Sequence, residues 1–157
     1  MRHFALVTQW EFEAPIDAIW NALYAAGHWP RWWKYVRSVD ELQPGDASGV
    51  GALRRYTWSS RLPYRLSFEM SSTVVERPHR LDARAAGELT GVGRWSLNQH
   101  QTITRVRYDW QVAATRPWMN ALAPILAPAF RWNHGQVMAA GGRGLAGYLG
   151  VRLLSNS

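Results

Sequence analysis

The chain has 157 residues, 47% of them hydrophobic, which suits one domain with a buried core and excludes a disordered segment. Its formal charge is +7, carried almost wholly by arginine since Lys34 is the only lysine, but the arginines are scattered, and without a block of like charge no nucleic-acid partner is expected. There is no cysteine, which excludes a disulfide framework, a thiolate nucleophile and a cysteine metal site, and fits a reducing, cytoplasmic setting.

The first seven residues lack the apolar run of a signal peptide, and no stretch approaches the roughly 20 apolar residues that span a bilayer, so no stable membrane insertion is expected. Phe4, Leu6, Thr8, Trp10 and Phe12 alternate with Ala5, Val7, Gln9, Glu11 and Glu13, the period of a strand with one wet face. Pro15 is pre-set for a first helical position, and Ile16, Ile19, Trp20, Leu23 and Tyr24 then share one helical face. Gly27 closes that helix, and Pro30 opens a second short one over 31–36. Strands are expected at 37–42 and 49–59, with turn chemistry at 43–46 between them. A long strand follows from Pro63, with Tyr64, Leu66, Phe68, Met70, Ser72 and Val74 on one face. After a turn at 77–80, Leu81, Ala83 and Ala85 face inward; residues 87–93 hold a short turn; Trp95 and Leu97, then Thr104, Val106, Tyr108, Trp110 and Val112, complete the inner face.

Arg116 and Pro117 end the sheet. Residues 119–126 read as a helical approach broken by Pro124 and Pro128, and a long helix runs from Ala129 to about Leu149. Phe130, His134, Val137, Met138, Gly141, Leu145 and Leu149 lie along one of its faces. Gly135, Gly141, Gly142, Gly144 and Gly147 each cost about 1 kcal/mol against alanine there, so packing must hold the helix. Either the glycines let its backbone approach the sheet, or the helix frays near Gly141. Consecutive strands with short turns specify an antiparallel meander, so the whole chain reads as a single α+β domain. Its predicted order is β-α-α-β6-α, a curved sheet of about seven strands around the last helix.

The inward face collects Trp10, Tyr56, Trp58, Tyr64, Phe68, Trp95, Tyr108 and Trp110, and no carboxylate. Glu11, Glu13, Glu69, Asp82 and Asp109 fall on the outer face, within reach of Arg84, Arg105 and Arg107, so paired-carboxylate chemistry inside is excluded. The aromatics are either an ordinary core or the wall of a ligand cavity, in which tyrosine hydroxyls offer polar handles. Arg54 is in register with Tyr56 and Trp58: either it points inward and clamps a carboxylate or carbonyl, or it snorkels to water. His134 is a candidate general base or hydrogen-bond donor, or else a satisfied core residue; Asn133 reads as an amide bonded to a loop carbonyl. No pair of histidines has metal-ligand spacing, so no metal is expected. Trp29, Trp32 and Trp33 form a lid, a minor core, or an exposed surface for a partner or membrane.

Glu13-Ala-Pro-Ile-Asp-Ala-Ile-Trp20, His28-Trp-Pro-Arg-Trp-Trp33, Gly49-Val-Gly51, Leu62-Pro-Tyr64, Gly87-Glu-Leu-Thr-Gly91 and Phe130-Arg-Trp-Asn-His134 resemble the START/Bet v 1-like (SRPBCC) superfamily, and within it the polyketide cyclase/dehydrase-like group. The resemblance covers nearly the whole chain. It implies the helix-grip fold, a hydrophobic cavity between sheet and C-terminal helix, and no universal catalytic residue. The expected function is binding of a small hydrophobic molecule, lipid-like or polyketide-like, without metal or organic cofactor. The expected lining is Trp10, Tyr56, Trp58, Tyr64, Phe68, Trp95, Tyr108, Trp110, Phe130, Asn133, His134 and Met138. The alternative is a cyclase/dehydrase with His134, Arg54 and Tyr108 as working groups. Ligand, protein partner and oligomeric state stay open.

Overall fold

A computed structural model describes residues 3–61 and 65–157, so the expectations placed on residues 1–2 and 62–64, Tyr64 among them, lie outside the described residues. Strand β1 (His3–Glu13) is followed by helix α1 (Ile16–Tyr24), a 3-10 helix (Ala26–Arg31), and the strands β2 (Val36–Gln43), β3 (Leu53–Trp58), β4 (Leu66–Glu76), β5 (Arg80–Gly87), β6 (Leu89–His100) and β7 (Ile103–Ala114). Then come α2 (Pro117–Ala121), the long helix α3 (Ala123–Leu149) and a last strand, β8 (Arg152–Asn156). The eight strands form one sheet in the order β2-β3-β4-β5-β6-β7-β1-β8, with antiparallel neighbours throughout. This is the helix-grip α+β architecture, with α3 laid across the inner face of the sheet.

The alternation read in β1 is realised: Phe4, Thr8, Trp10 and Phe12 are buried, and the residues between them are exposed or half-buried. Pro15 leads into α1, which buries Ile19, Trp20, Ala22 and Leu23. The amide of Ile16, at the start of the helix, donates to Gln99 Oε1 at 2.8 Å, satisfying one of the N–H groups a helix start leaves free.

Four expectations need correction. The second helical segment spans Ala26–Arg31 rather than 31–36, because a tight turn right after α1 drives Trp29 and Trp33 into the interior. The short turn expected within 87–93 is confined to the junction at Glu88, between β5 ending at Gly87 and β6 starting at Leu89, and Gly91 and Gly93 lie inside β6. A Cβ at Gly91 would overlap the carbonyl oxygen of Gln111 on β7, and one at Gly93 would overlap the Tyr108 hydroxyl. These glycines mark close approach, not a bend. Helix α3 begins at Ala123, six residues before Ala129, and runs through Pro124 and Pro128. Pro124 sits in the first turn, where a missing N–H costs nothing; burial of Ala127 beside Phe4, Leu89 and Trp110 holds the turn containing Pro128. Finally, β8 adds an eighth strand beyond the expected seven. Gly150, with φ at 66°, ends α3 in the left-handed region and turns the chain back to pair with β1.

Two apolar clusters fill the space under α3. The larger holds Trp10, Phe12, Trp20, Trp29, Trp32, Trp33 and Trp95 with Val137, Met138 and Leu145 of α3. The smaller gathers Phe4, Phe68, Leu89, Trp110 and Val112. Among the described residues no helix is long and apolar enough to cross a membrane.

Candidate functional site

Between the two clusters the sheet and α3 do not close on each other. A cavity of about 120 Å³ remains. Strands β3 to β7 supply one wall through Arg54, Tyr56, Trp58, Phe68, Met70, Leu81, Ala83, Gly93, Trp95, Tyr108 and Trp110. Helix α3 supplies the opposite wall through Phe130, Asn133, His134, Val137 and Met138, spaced three and four residues apart so that they share one face. Trp29 and Trp33 close one end, and Ser59, Ser60 and Leu66 form part of the rim.

The aromatic wall is continuous. Trp95 and Tyr108, adjacent across β6 and β7, have ring centroids 4.2 Å apart, and Tyr108 stacks on Trp110 at 5.8 Å. Phe68 bridges Trp110 and Tyr56 at 5.7 and 6.3 Å. Aromatic pairs at these separations hold one another in fixed orientations.

Polar groups interrupt this wall at a few points. Arg54 lines the cavity with its side chain 19% exposed and reaches Glu41, its neighbour across β2 and β3, at 3.8 Å. It therefore faces inward and holds a carboxylate at the sheet edge at once. Burial pushes the Tyr56 hydroxyl above the usual tyrosine range, and the positive charge of the nearby Arg54 guanidinium pulls it part of the way back. Burial pushes Tyr108 far higher, and the proximity of Tyr56 adds to the effect. His134 moves the opposite way: desolvation lowers its pKa to about 4, so the ring is neutral at pH 7. Tyr56, Tyr108 and His134 are thus uncharged at pH 7.

Five buried side-chain atoms have no hydrogen-bond partner among the described residues: the indole N–H groups of Trp10, Trp20, Trp32 and Trp58 and the side-chain oxygen of Asn133. Of these residues, Trp58 and Asn133 line the cavity. The expected bond between Asn133 and a loop carbonyl is not made to any described residue. A buried polar group left unpaired costs about 1–3 kcal/mol.

Of the residues expected around the cavity, Tyr56, Trp58, Phe68, Trp95, Tyr108, Trp110, Phe130, Asn133, His134 and Met138 line it, as does Arg54. Trp10 does not. It is 1% exposed and packs behind the wall against Phe12, Trp33 and Trp95. Inward orientation on a strand selects both wall and filling, and the insertion of Trp33 decides which one Trp10 becomes. Sequence reasoning missed Trp29 and Trp33 as lining residues. The reading of these tryptophans as an exposed surface for a partner is overturned: Trp29, Trp32 and Trp33 are 6%, 7% and 1% exposed. The Trp33 indole donates to the Val137 carbonyl of α3 at 2.8 Å, and Trp29 to the carbonyls of Ala22 and Leu23. The available signal was the run of glycines in α3, which marks the place where large rings press against that helix.

The carboxylates stay off this surface. Glu11 pairs with Arg105, Glu69 with Arg55, Asp109 with Arg107, and Glu13 with Arg152. Asp82 is buried on the outer side of the sheet between Arg80 and Arg94, at 2.7 and 3.1 Å.

Solved structures share this fold. The chain superposes on the Zhui aromatase/cyclase from Streptomyces sp. R1128 with a TM-score of 0.77 at 11% identity, over 94% of this chain and 93% of that one. It matches a protein from Thermus thermophilus, TTHA0849, with a TM-score of 0.72 at 12% identity, over 92% and 99%. A START superfamily protein from Mycobacterium smegmatis gives 0.68 at 14% identity, over 91% and 97%. Identities this low establish the common fold. No curated protein is recognisably similar in sequence. The sequence model of one family, described as polyketide cyclase / dehydrase and lipid transport, matches residues 3–149, nearly the whole chain, and the chain belongs to that family.

Proposed function

We propose that the protein binds a small, mostly apolar molecule in the cavity under α3, and that this molecule carries one ring and at least one group that both accepts and donates hydrogen bonds, as a phenol does. Trp58 and Asn133, which line an otherwise mostly aromatic cavity and each hold a buried polar atom without a partner among the described residues, carry this reading. The volume supports it: about 120 Å³ is close to the roughly 150 Å³ engineered cavity that accepts benzene. An extended polyketide or a long acyl chain exceeds that space unless the rim opens. The reducing cytoplasm suits such a carrier, whose chain has no cysteine.

The alternative within the family is a cyclase/dehydrase. Tyr108, and Tyr56 with Arg54, line the cavity and as donors would polarise a carbonyl of a guest, which supports that reading. Against it stands His134, which burial makes a weak base, and a general base works best with a pKa near the operating pH.

Native mass spectrometry of the freshly purified protein, followed by tryptophan quenching with a small phenol, tests the proposal. A retained small molecule or saturable one-site quenching is expected. The decisive variant is Asn133→Leu. Removing an unpaired buried oxygen leaves the free protein as stable or more so, while affinity for the phenol falls about tenfold. A variant that loses stability and keeps affinity would make Asn133 a structural amide and sink the reading.

A further inference from the structure

The outer side of the segment that carries the cavity's helical wall has no partner among the described residues. Trp118 of α2, Leu122 at the junction, and Ile125 and Trp132 of α3 are 50%, 45%, 74% and 48% exposed. Ile125 and Trp132 are seven residues apart on α3 and so fall on one stripe, and Trp118 and Leu122 stand just before it, on α2 and at the junction. The opposite stripe of the same turns holds Ala123, Ala127, Phe130 and His134 and faces the interior. An apolar core explains the second stripe. It does not explain two tryptophans, an isoleucine and a leucine turned to water, and clustered exposed apolar side chains mark a contact surface.

We infer that this face docks the protein, peripherally and reversibly, on a bilayer with anionic headgroups. Charge selects the occupant. From residue 110 to the C-terminus there is no aspartate or glutamate, against Arg116, Arg131, Arg143 and Arg152. Arg116 is held by Glu88 at 2.8 Å and Arg152 by Glu13 at 3.6 Å, but Arg131 lies over the Phe4 ring with its charge exposed. Arg61 and Arg65, on the loop that supplies the other rim of the cavity, are exposed too and make no ion pair with a described residue. Exposed tryptophans beside a margin of arginine form the composition that settles at the headgroup boundary. A second copy fits less well. A two-fold interface would set this face against itself, arginine toward arginine with no carboxylate between them.

Flotation with vesicles of phosphatidylcholine alone, and of phosphatidylcholine mixed with phosphatidylglycerol, tests the inference. The wild-type protein floats with the mixed vesicles, weakly or not at all with phosphatidylcholine, and is released by about 1 M salt, where screening acts within roughly 3 Å. Ile125→Glu and Trp132→Glu each weaken partition at least tenfold with unchanged circular dichroism, both sites being exposed. Because the chain has no cysteine, Ile125→Cys carries a single thiol for an environment-sensitive dye, whose emission shifts to the blue on the mixed vesicles. The same dye on Val92→Cys, exposed on β6, does not shift. Absence of flotation, or equal flotation with both vesicle types, overturns the inference. So does a concentration-dependent dimer that Ile125→Glu abolishes while no vesicle is bound. The face lies outside the cavity, so these results leave the proposed ligand binding standing or falling on its own test.

Discussion

His134 shows how one side chain ties the cavity to stability. Its ring faces the hollow from α3, and burial holds its pKa at about 4 against 6.5 for a solvated histidine. The unfolded chain therefore takes up a proton as pH falls through 6.5, while the native state resists it. Histidine's contribution is fully present above pH 6.5 and is lost as pH falls toward 4. The whole loss amounts to roughly 3 kcal/mol at most. Urea midpoints measured from pH 8 to pH 4.5 should fall for the wild type, most steeply below 6.5, and the slope should flatten in His134→Gln. Equal slopes in the two proteins would mean that the ring is hydrated. His134 and its neighbours on the wall were legible in the sequence because period two on strands and three-or-four spacing on a helix both report facing. Trp10 shows the limit of that signal. Facing inward says nothing of depth, and the rings of Trp33 and Trp95 stand against it.

Glycine in α3 illustrates the same limit for an element. On propensity alone each glycine weakens the helix, but their surroundings divide them. A Cβ at Gly144 would overlap the backbone carbonyl of Trp32, and one at Gly141 would lie 2.5 Å from the Trp33 ring. The helix approaches the tryptophan segment at these points, rather than the sheet. Gly135 has nothing within 4 Å. Gly135→Ala should therefore stabilise the protein by up to about 1 kcal/mol through helix propensity. Gly144→Ala should destabilise it by about 1–3 kcal/mol, since a backbone carbonyl cannot swing away as a side chain can. Thermal melts of the two variants check this, and shifts of the same sign would refute the division. The sequence displayed the glycines but not their partners, which lie more than 100 residues away in the chain. Strand β8 was hidden for a related reason: the apolar tail after Leu149 continues a helical pattern, and Gly150 alone marks where it stops.

For the whole molecule, the question is what an incompletely filled interior does to folding. The tryptophan segment and α3 pack tightly at one end, while the other end keeps a hollow with an unpaired donor and acceptor. That hollow forgoes dispersion contacts and hydrogen bonds that a filled core would make. A guest that supplies them binds only the native state, so its binding free energy adds to stability. At a free concentration 100 times the Kd, the gain is about 2.7 kcal/mol. For a chain of this length that corresponds to a rise in Tm of about 5–10 °C. A small phenol should produce this rise, and cyclohexane, which fits but cannot pair with Trp58 or Asn133, should produce a smaller one. If cyclohexane raises Tm as much as the phenol does, the polar atoms have no part in recognition and the cavity reads shape alone. If neither shifts it, no guest of this size is held, and the gap between sheet and helix is a packing defect that the tryptophan cluster compensates.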